Sequence, residues 1–453
     1  MPLARHNANP CYNQTMKATK KLLRPLAPKK IVNAYHYVEA IGHAARYRHP
    51  TRKMVTIGIV GSKGKTTTAN LLWAALSASG AKVGQTGTAN FRIGEHEELN
   101  PYHMTMPGPA IMQRYLKQMR DAGCEYVIVE TPSEGMAQWR HVGIDYDVLV
   151  FTNVTNEIVA AHGNSLERLK ADNERVFKAL YKTAQTTHRG KEIPKIIITN
   201  ADAEDAPRYA AFSADRHTSY GVKNKADYQA QKIKSSKDGL EFSVSGDTYS
   251  LALLGEVNVS NATAAIAVAR ELGIEVEAIQ RGFATLGTIP GRMEVIEEGQ
   301  NFTVIVDYAH EETGMQALMD GAKNIVGKGG KIITLLGGEG GGRDVKKRPI
   351  MGEIVGKTSD YVVVSNVDPY KDDPMTIIED IAKGARKAGK KDDKDLFCIA
   401  DRREGISKAL SLAKKGDLVL ITGKGAEQSI VIDGQSSPWD DREVVREELK
   451  KLI

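Results

Sequence analysis

Short, continuously apolar runs, each followed by apolar residues at helical spacing, dominate the pattern along this chain. Between residues 51 and 285 the runs are 55–60, 126–130, 148–152 and 196–199. A strand that is apolar throughout, rather than at every second position, is typical of a parallel sheet covered on both faces. We therefore predict a doubly wound α/β domain that binds its ligand at the carboxyl ends of the strands.

Two changes in this pattern divide the chain. Residues 227–253 alternate apolar and polar side chains between turns, one of them at 237–239, which predicts a small antiparallel excursion. Helical spacing returns over 261–272, and after a Gly- and Pro-containing stretch at 287–291 a second α/β pattern begins. Its predicted strands are 303–306, 331–336, 360–364 and 418–422. We expect a short N-terminal segment with one helix (1–50), a central domain (51–288) and a smaller, Rossmann-like C-terminal α/β domain (289–453).

The N-terminal segment is basic, and Pro recurs in its first 30 residues. Residues 31–48 carry apolar side chains at helical spacing, at Val32, Tyr35, Val38, Ile41 and Ala45. They predict a helix that packs on the central domain or lies on a membrane surface, and both interpretations stay open. The net charge is +6, and the part of it in the first 53 residues suits an anionic partner or a solvated tail.

Composition excludes several classes of protein. Hydrophobic residues make up 41% of the 453 residues and charged residues 26%, as in soluble globular proteins, and no run of 18 apolar residues predicts a membrane span. The basic N-terminus lacks the apolar core of a secretory signal. The three cysteines, Cys11, Cys124 and Cys398, are too far apart for metal-type spacing. We expect reduced thiols and a cytoplasmic location.

The strand at 55–60 leads into a glycine turn and then a Lys-Thr helix start, which are the parts of a P-loop. Backbone N–H groups of such a turn point at phosphate oxygens. Lys65 would reach the β- and γ-phosphates of ATP, and the Thr66 hydroxyl would sit on Mg²⁺. The turn is shorter than GxxxxGK[ST], because Ile59 stands where that pattern has its first Gly. Candidate nucleotide-binding residues are Gly61, Ser62, Lys63, Gly64, Lys65, Thr66 and Thr67.

Other polar residues follow predicted strands of the central domain. Glu130 ends an apolar strand, where a carboxylate beside a P-loop is placed to bind Mg²⁺. Asn153 and His162 are weaker candidates, each more often structural in such a position. Near the start of the helix at 261–272, Asn258 could read an adenine edge, and Asn261 could be an N-cap.

Three loops in the C-terminal domain follow strands and contain Gly, charge or His. They begin at Asp307, Gly337 and Gly423, and residues 291–294, Gly-Arg-Met-Glu, open the domain. Gly-rich loops let the backbone approach an anionic ligand, and parallel strands end at one edge of a sheet. The pattern therefore favours a second half of the site on this domain.

Taken together, these segments resemble the Mur ligase family, with the MurE type as the nearest branch. The resemblance covers residues 54–430. Gly-Ser-Lys-Gly-Lys-Thr-Thr at 61–67 is similar to the family's ATP loop, and Glu-Thr-Pro-Ser-Glu at 130–134 to its Glu-Val-Ser-Ser stretch. The remaining matching motifs follow in the family's order, at 151–155, 200–202, 258–261, 291–294, 307–310, 342–349, 401–402 and 423–425.

The resemblance implies that ATP phosphorylates an acceptor carboxylate and that an amine then attacks the acyl phosphate. Lys65, Glu130 and Arg292 would be catalytic, Thr66 and Glu130 would hold Mg²⁺, and Arg292 and Asp307 would close over the nucleotide from the C-terminal domain. Closure is expected where two domains share one site. The implied substrate-binding residues are His162, Arg343, Asp368, Gly423 and Glu427.

The chain also departs from the family's pattern at the second metal site. Ile158 stands where a metal-binding His is common, and Asn173 aligns with a carbamylated Lys. Lys170, one helical turn earlier, could substitute for that Lys. We therefore expect one well-occupied Mg²⁺ and no carbamate.

Further departures concern the substrates. Tyr370 replaces the Arg that clamps diaminopimelate, and Ala426 replaces a His in the Gly-Lys-Gly-His-Glu pattern. About 53 residues precede the P-loop strand, too few for the UDP-binding domain of a MurE-type enzyme.

These features predict a cytoplasmic, ATP- and Mg²⁺-dependent amide ligase of cell-wall precursor synthesis. Its partners would be an amino acid and a carboxylate acceptor, UDP- or lipid-linked. We expect a monomer without a nucleic-acid partner, and peripheral membrane contact stays open. A folylpolyglutamate-synthase-like or other acyl ligase is one alternative. A nucleotide-binding scaffold without turnover is another, favoured by the altered metal site.

Overall fold

The computed structural model describes residues 29–102, 104–155, 162–236, 239–342 and 345–452, with side chains described from residue 35 onward. The first part of the chain forms α1 (Lys29–Arg46), a 3-10 turn (Pro50–Lys53), α2 (Lys65–Ala78), α3 (Pro109–Asp121), α4 (Ser133–Ala137), α5 (Leu166–Leu180), α6 (Ala206–Ala210), α7 (Val257–Glu271) and α8 (Val276–Thr285). Its strands are β1 (Val55–Val60), β2 (Val83–Thr86), β3 (Asn90–Ile93), β4 (His96–Leu99), β5 (Tyr126–Thr131), β6 (Val148–Phe151), β7 (Thr187–His188), β8 (Lys191–Glu192), β9 (Ile196–Asn200), β10 (Arg216–Gly221), β11 (Tyr228–Ser236), β12 (Gly239–Val244) and β13 (Asp247–Leu251).

The remaining elements follow residue 293. The strands are β14 (Glu294–Ile296), β15 (Thr303–Asp307), β16 (Ile332–Leu336), β17 (Tyr361–Val364), β18 (Leu396–Cys398), β19 (Leu418–Thr422), β20 (Ser429–Ile432) and β21 (Gln435–Pro438). The helices are α9 (Glu312–Ile325), α10 (Lys347–Thr358), α11 (Pro374–Lys387), α12 (Arg402–Ser411) and α13 (Asp441–Leu452).

The central sheet is built around β1, which lies between β5 and β6 and pairs with both in parallel. All six residues of β1 are buried, as its continuous apolar character predicted. One face of the sheet packs against α2, α7 and α8, and the other against α3 and α5. This arrangement confirms the predicted doubly wound α/β fold, because helices cover both faces of a mostly parallel sheet.

The sheet is longer than the apolar runs predicted. Among the described residues it has the order β13-β12-β11-β10-β9-β6-β1-β5-β2-β3-β4. The alternating segment at 227–253 forms the antiparallel strands β11 to β13, as predicted, but it extends this same sheet through a parallel β10–β11 pair. The sequence pattern missed β2 to β4, because buried amides there satisfy each other: Gln85 Nε2 donates to Asn90 Oδ1 at 3.0 Å.

The C-terminal sheet has the order β14-β15-β19-β16-β17-β18. The four predicted strands are present and parallel, and β14 is an antiparallel edge strand. One face packs against α9, α10 and α11, and the other against α12 and α13. The smaller α/β domain is therefore confirmed. The pattern missed the three-residue strands β14 and β18, which are too short for a periodic signal.

The predicted N-terminal helix is present as α1, and it packs against α3. Its buried face carries small side chains, Ala40 and Ala44. No helix in the described ranges combines the length and the apolar character that crossing a bilayer requires.

Candidate active site at the P-loop and the facing loops

The glycine turn after β1 is shaped by close contacts that exclude side chains. Gly61 and Gly64 have φ values of +141° and +83°, in the region that favours glycine. A Cβ on Gly61 would lie 2.1 Å from Thr152 Oγ1, and one on Gly64 would lie 2.3 Å from Asn261 Oδ1. The turn therefore needs both glycines, and it brings the first turn of α2, with Lys65 at its start, to the carboxyl end of β1.

The segment after β6 supports the glycine turn through hydrogen bonds. Asn153 accepts the Ser62 N–H with its carbonyl and the Lys63 N–H with its side-chain Oδ1, both at 2.9 Å. The Thr155 N–H donates to Ser62 Oγ at 3.1 Å. Asn153, a weak site candidate from the sequence, thus supports the loop.

Lys65 is a partly buried cation whose hydrogen bonds go to carbonyl oxygens. Its Nζ donates to Gly61 O at 2.7 Å and Ser62 O at 2.8 Å. Burial lowers the pKa of Lys65 to about 8, although the Glu130 carboxylate opposes that effect. An anionic ligand in the turn would stabilise the charged form.

Glu130 is fully buried at the end of β5 and accepts three hydrogen bonds. Thr66 Oγ1 donates to it at 3.0 Å, the Thr88 N–H at 3.0 Å and Thr88 Oγ1 at 2.9 Å. Gly87 leaves room for the carboxylate, since a Cβ there would lie 2.1 Å from Glu130 Oε1. A fixed carboxylate beside a hydroxyl is a set of hard oxygen donors that suits Mg²⁺. The sequence pattern did not indicate Thr88, because the strand before it, β2, has no apolar run.

Two contacts bring the C-terminal domain onto the P-loop. Arg292 Nη2 lies 3.4 Å from Thr66 Oγ1, and its guanidinium stacks over the Tyr308 ring at 4.3 Å. Lys63 forms an ion pair with Glu311, just before α9. The structure therefore brings the predicted Arg292 next to Thr66, and it adds Glu311, which no local pattern indicated.

Asp307 organises the loop that carries Arg292. Its carboxylate accepts the N–H groups of Met293 and Ala309, each at 2.8 Å. Burial raises the pKa of Asp307, and the nearby Arg292 charge opposes that rise. The described contacts of Asp307 are thus within its own domain.

Lys424 is fully buried and is the centre of a second cluster. Its Nζ lies 2.9 Å from Asp368 Oδ2 and 2.8 Å from Glu427 Oε2. Glu427 also accepts the Tyr308 hydroxyl at 3.3 Å, and Asp368 accepts the Val431 N–H at 2.7 Å. Two predicted substrate residues, Asp368 and Glu427, are therefore joined by a lysine that the sequence analysis did not single out.

Gly423, the third predicted substrate residue of this domain, shapes the loop before Lys424. Its φ of +110° and a Cβ distance of 2.9 Å to Val367 Cγ2 require glycine. A narrow cleft separates this cluster from the central domain, and it is lined by Thr88, Ala89, Pro290, Arg292, Tyr308, Lys424, Ala426 and Glu427.

His162 lies in a buried line of hydrogen bonds. Its Nδ1 is 2.8 Å from Asp172 Oδ2, and its Nε2 is 2.9 Å from Ser133 Oγ. Arg175 pairs with the second carboxylate oxygen of Asp172 at 2.7 Å. Ser133 comes three residues after Glu130, the predicted magnesium ligand. No local pattern in the sequence indicated Asp172, which stands beside Asn173 on α5.

Lys170 and Asn173 lie on α5 in different surroundings. Asn173 is fully buried. Lys170 Nζ is 2.8 Å from Asp205 and 3.4 Å from Glu167, and the hydrogen bond to Asp205 raises its pKa. Carbamylation needs a neutral amine, so this pairing disfavours a carbamate on Lys170.

The two asparagines of α7 have structural contacts. Asn258 Nδ2 donates to Leu254 O at 2.7 Å, and Asn261 Nδ2 donates to Asn258 Oδ1 at 2.9 Å. The interpretation of Asn261 as an N-cap is wrong: α7 begins at Val257, and Asn261 lies one turn inside it, against the P-loop.

A cleft of about 390 Å³ lies beside the P-loop between α5, the β9–α6 connection and the start of α9. Three carboxylates and one lysine line it, so it favours cationic over anionic groups. Its lining residues are Val154, Thr155, Leu166, Lys170, Glu204, Asp205, Glu312 and Thr313. Ile158, Arg343 and residues 1–28 lie outside the described residues.

Comparison with known families finds two adjacent matches. Residues 59–269 match the Mur ligase middle domain, and residues 291–425 match the Mur ligase, glutamate ligase domain.

Individual relatives cover most of the chain. The UDP-N-acetylmuramyl-tripeptide synthetase of Roseiflexus sp. (strain RS-1) is 38% identical over 90% of this chain and 81% of its own length. The UDP-N-acetylmuramoyl-L-alanyl-D-glutamate--2,6-diaminopimelate ligase of Geobacillus kaustophilus (strain HTA426) is 33% identical over 94% of this chain and 86% of its own. The folylpolyglutamate synthase of Mycobacterium tuberculosis, solved with ADP and AMPPCP, superposes with a TM-score of 0.68 over 92% of this chain and 95% of its own. At 17% identity, that likeness is one of fold alone.

Proposed function

This chain belongs to the Mur ligase family, and we propose that it is an ATP-dependent ligase that joins an amino acid to a peptidyl carboxylate in peptidoglycan-type precursor synthesis. One observation carries the proposal. Arg292 of the C-terminal domain lies 3.4 Å from Thr66 Oγ1 at the P-loop, beside the buried Glu130. Cations from two domains thus face the place where the phosphates of ATP would lie.

In the proposed reaction, the γ-phosphoryl group passes from ATP to the acceptor carboxylate. The amine of the amino acid then attacks the acyl phosphate, phosphate leaves, and an amide bond remains. Such chemistry depends on positioning and charge neutralisation. Lys65 and the turn N–H groups would bind the β- and γ-phosphates, and Arg292 would neutralise charge on the opposite side.

Thr66 and Glu130 would hold one Mg²⁺. The fit rests on the three hydrogen bonds that orient the Glu130 carboxylate toward Thr66. When bound, Mg²⁺ would screen the phosphate charges that otherwise repel an acceptor carboxylate. We propose one well-occupied ion and no carbamylated lysine, since Lys170 is paired with Asp205.

The cluster of Asp368, Gly423 and Glu427 is the proposed amino-acid site. Tyr370 stands in the same loop as Asp368, in place of an arginine that would clamp a distal carboxylate. We therefore propose a neutral or basic side chain rather than meso-diaminopimelate. Steady-state kinetics with lysine, neutral amino acids and meso-diaminopimelate would test this. A clear preference for diaminopimelate would contradict it.

ADP release with a panel of acceptors and amino acids tests the function as a whole. A cell-wall ligase needs a muramoyl-peptide acceptor, UDP- or lipid-linked. An enzyme of the folylpolyglutamate synthase type would prefer folate and glutamate, and a scaffold would bind ATP without acceptor-dependent turnover. We propose a cytoplasmic monomer, and the mass of the active species in solution checks the oligomeric state.

A further inference from the structure

Over residues 35–46, where its side chains are described, helix α1 has one apolar face that the fold buries and a second that is exposed. Ala40 and Ala44 face α3 and are buried. On another side of the helix, Tyr35, Val38 and Ile41 are 45%, 66% and 42% exposed. Residues three apart on a helix share one side of it, so these side chains form a continuous outward stripe. A helix that needs only to pack on the central domain would carry polar residues there.

Positive charge is concentrated in the N-terminal part of the sequence, which includes this stripe. Residues 1–53 contain eleven Lys or Arg and a single acidic residue, Glu39, whereas the whole chain has a net charge of only +6. The rest of the chain is therefore net negative. Lys29 and Lys30 begin the helix, and Arg46, Arg48 and Lys53, which follow the stripe, are exposed. Basic residues thus precede and follow the apolar stripe along the chain.

We propose that the Tyr35–Val38–Ile41 stripe docks on an anionic membrane surface. The three apolar side chains would enter the boundary between headgroups and acyl chains, and the flanking Lys and Arg would contact lipid phosphates. The two features act together, because the binding strength of an interfacial helix grows with the apolar area that it buries and with its attraction to anionic lipids. A protein interface is a poorer fit, because Lys is depleted in protein–protein interfaces.

Vesicle sedimentation of the full chain tests the proposal. The protein should pellet with phosphatidylcholine vesicles that contain phosphatidylglycerol, should not pellet with phosphatidylcholine alone, and should be released by high salt. The double variant Val38→Asp/Ile41→Asp should lower the partition coefficient about tenfold or more. Ile350→Asp/Met375→Asp, which adds the same two negative charges at exposed positions of α10 and α11, is the matched control and should bind as the parent does.

Three results would overturn the proposal. Equal binding by the parent and the double variant would mean that the basic residues act alone. Absence of vesicle binding, together with a dimer that the double variant dissociates, would make the stripe an interface between copies of this chain. Absence of both would leave the stripe without a binding role. Because the substituted side chains are exposed, unchanged thermal unfolding should show that the variants fold.

Discussion

Two lysines, one in each domain, stand on glycine loops at the carboxyl ends of parallel strands, yet their surroundings are opposite. Lys65 donates to two carbonyl oxygens, and burial lowers its pKa to about 8. Lys424 is fully buried between the carboxylates of Asp368 and Glu427. A cation without a carboxylate in contact is prepared for an anionic ligand, whereas a cation between two carboxylates organises its own loop. The same local pattern, glycine plus lysine after a strand, therefore gives one lysine that we propose binds phosphate and another that pairs with two carboxylates of its own domain.

The largest expected effect is on catalysis at Lys65. Lys65→Ala should lower ATP-dependent product formation about 10³-fold or more, because it removes the charge that faces the transferred phosphoryl group. Its thermal unfolding should match the parent, since the side chain leaves no carboxylate unpaired. Steady-state ADP release and calorimetry would measure both. Unchanged turnover would refute the assignment of the P-loop.

Substitution of Lys424 should mainly lower the stability of the folded protein. Lys424→Met leaves the buried Asp368 carboxylate without its cation, so the free energy of unfolding should fall by about 3–5 kcal/mol. The double variant Lys424→Met/Asp368→Asn should recover part of that loss. Lys357→Met, which breaks an exposed pair with Glu353, is the control and should leave the denaturant midpoint of unfolding close to that of the parent. An unchanged free energy of unfolding in Lys424→Met would contradict the proposed difference between Lys65 and Lys424.

The lowered pKa of Lys65 predicts a pH dependence of nucleotide binding. Lys65 has a pKa of about 8, whereas an ordinary lysine has a pKa of 10.5. Lys65 therefore loses its charge as the pH rises through about 8, where an ordinary lysine stays charged. The Kd for ATP should therefore rise about eightfold between roughly pH 7.5 and 9, as the protonated fraction falls. Proton uptake on binding near that pKa, seen by calorimetry in buffers of different ionisation enthalpy, is the companion measurement.

Lys65→Arg is the matched control for this effect, because arginine keeps its charge in that range. The Kd of that variant should stay constant with pH. A parent protein with the same flat profile would contradict the lowered pKa.

The smallest effect is expected at Lys170, which is paired with Asp205 and in this respect resembles Lys424. Lys170→Arg keeps a charged pair with Asp205 and cannot be carbamylated, so kcat should stay within about twofold of the parent. Activity of the parent should not depend on bicarbonate. Loss of turnover in Lys170→Arg, together with bicarbonate activation of the parent, would establish a carbamate that the pairing argues against.

The sequence by itself determined the order of the apolar strands, the glycine turn that joins β1 to α2, and the strand-end position of Glu130. Those features are local: an apolar run defines a buried strand, and glycine positions define a turn with positive φ. The strands of the central and C-terminal sheets were predictable wherever burial makes them apolar. The strands β2 to β4 were not, because paired amides such as Gln85 and Asn90 replace apolar side chains there.

Tertiary structure alone decided which charged groups compensate each other. Arg292 meets Thr66 across 226 positions of the chain, Lys63 meets Glu311 across 248, and His162 joins Asp172 and Ser133 into one line. Each of these residues is an ordinary polar side chain in its own segment. Whether a lysine binds a ligand or a neighbour depends on distances between loops, and only the packing of strands and domains determines those distances.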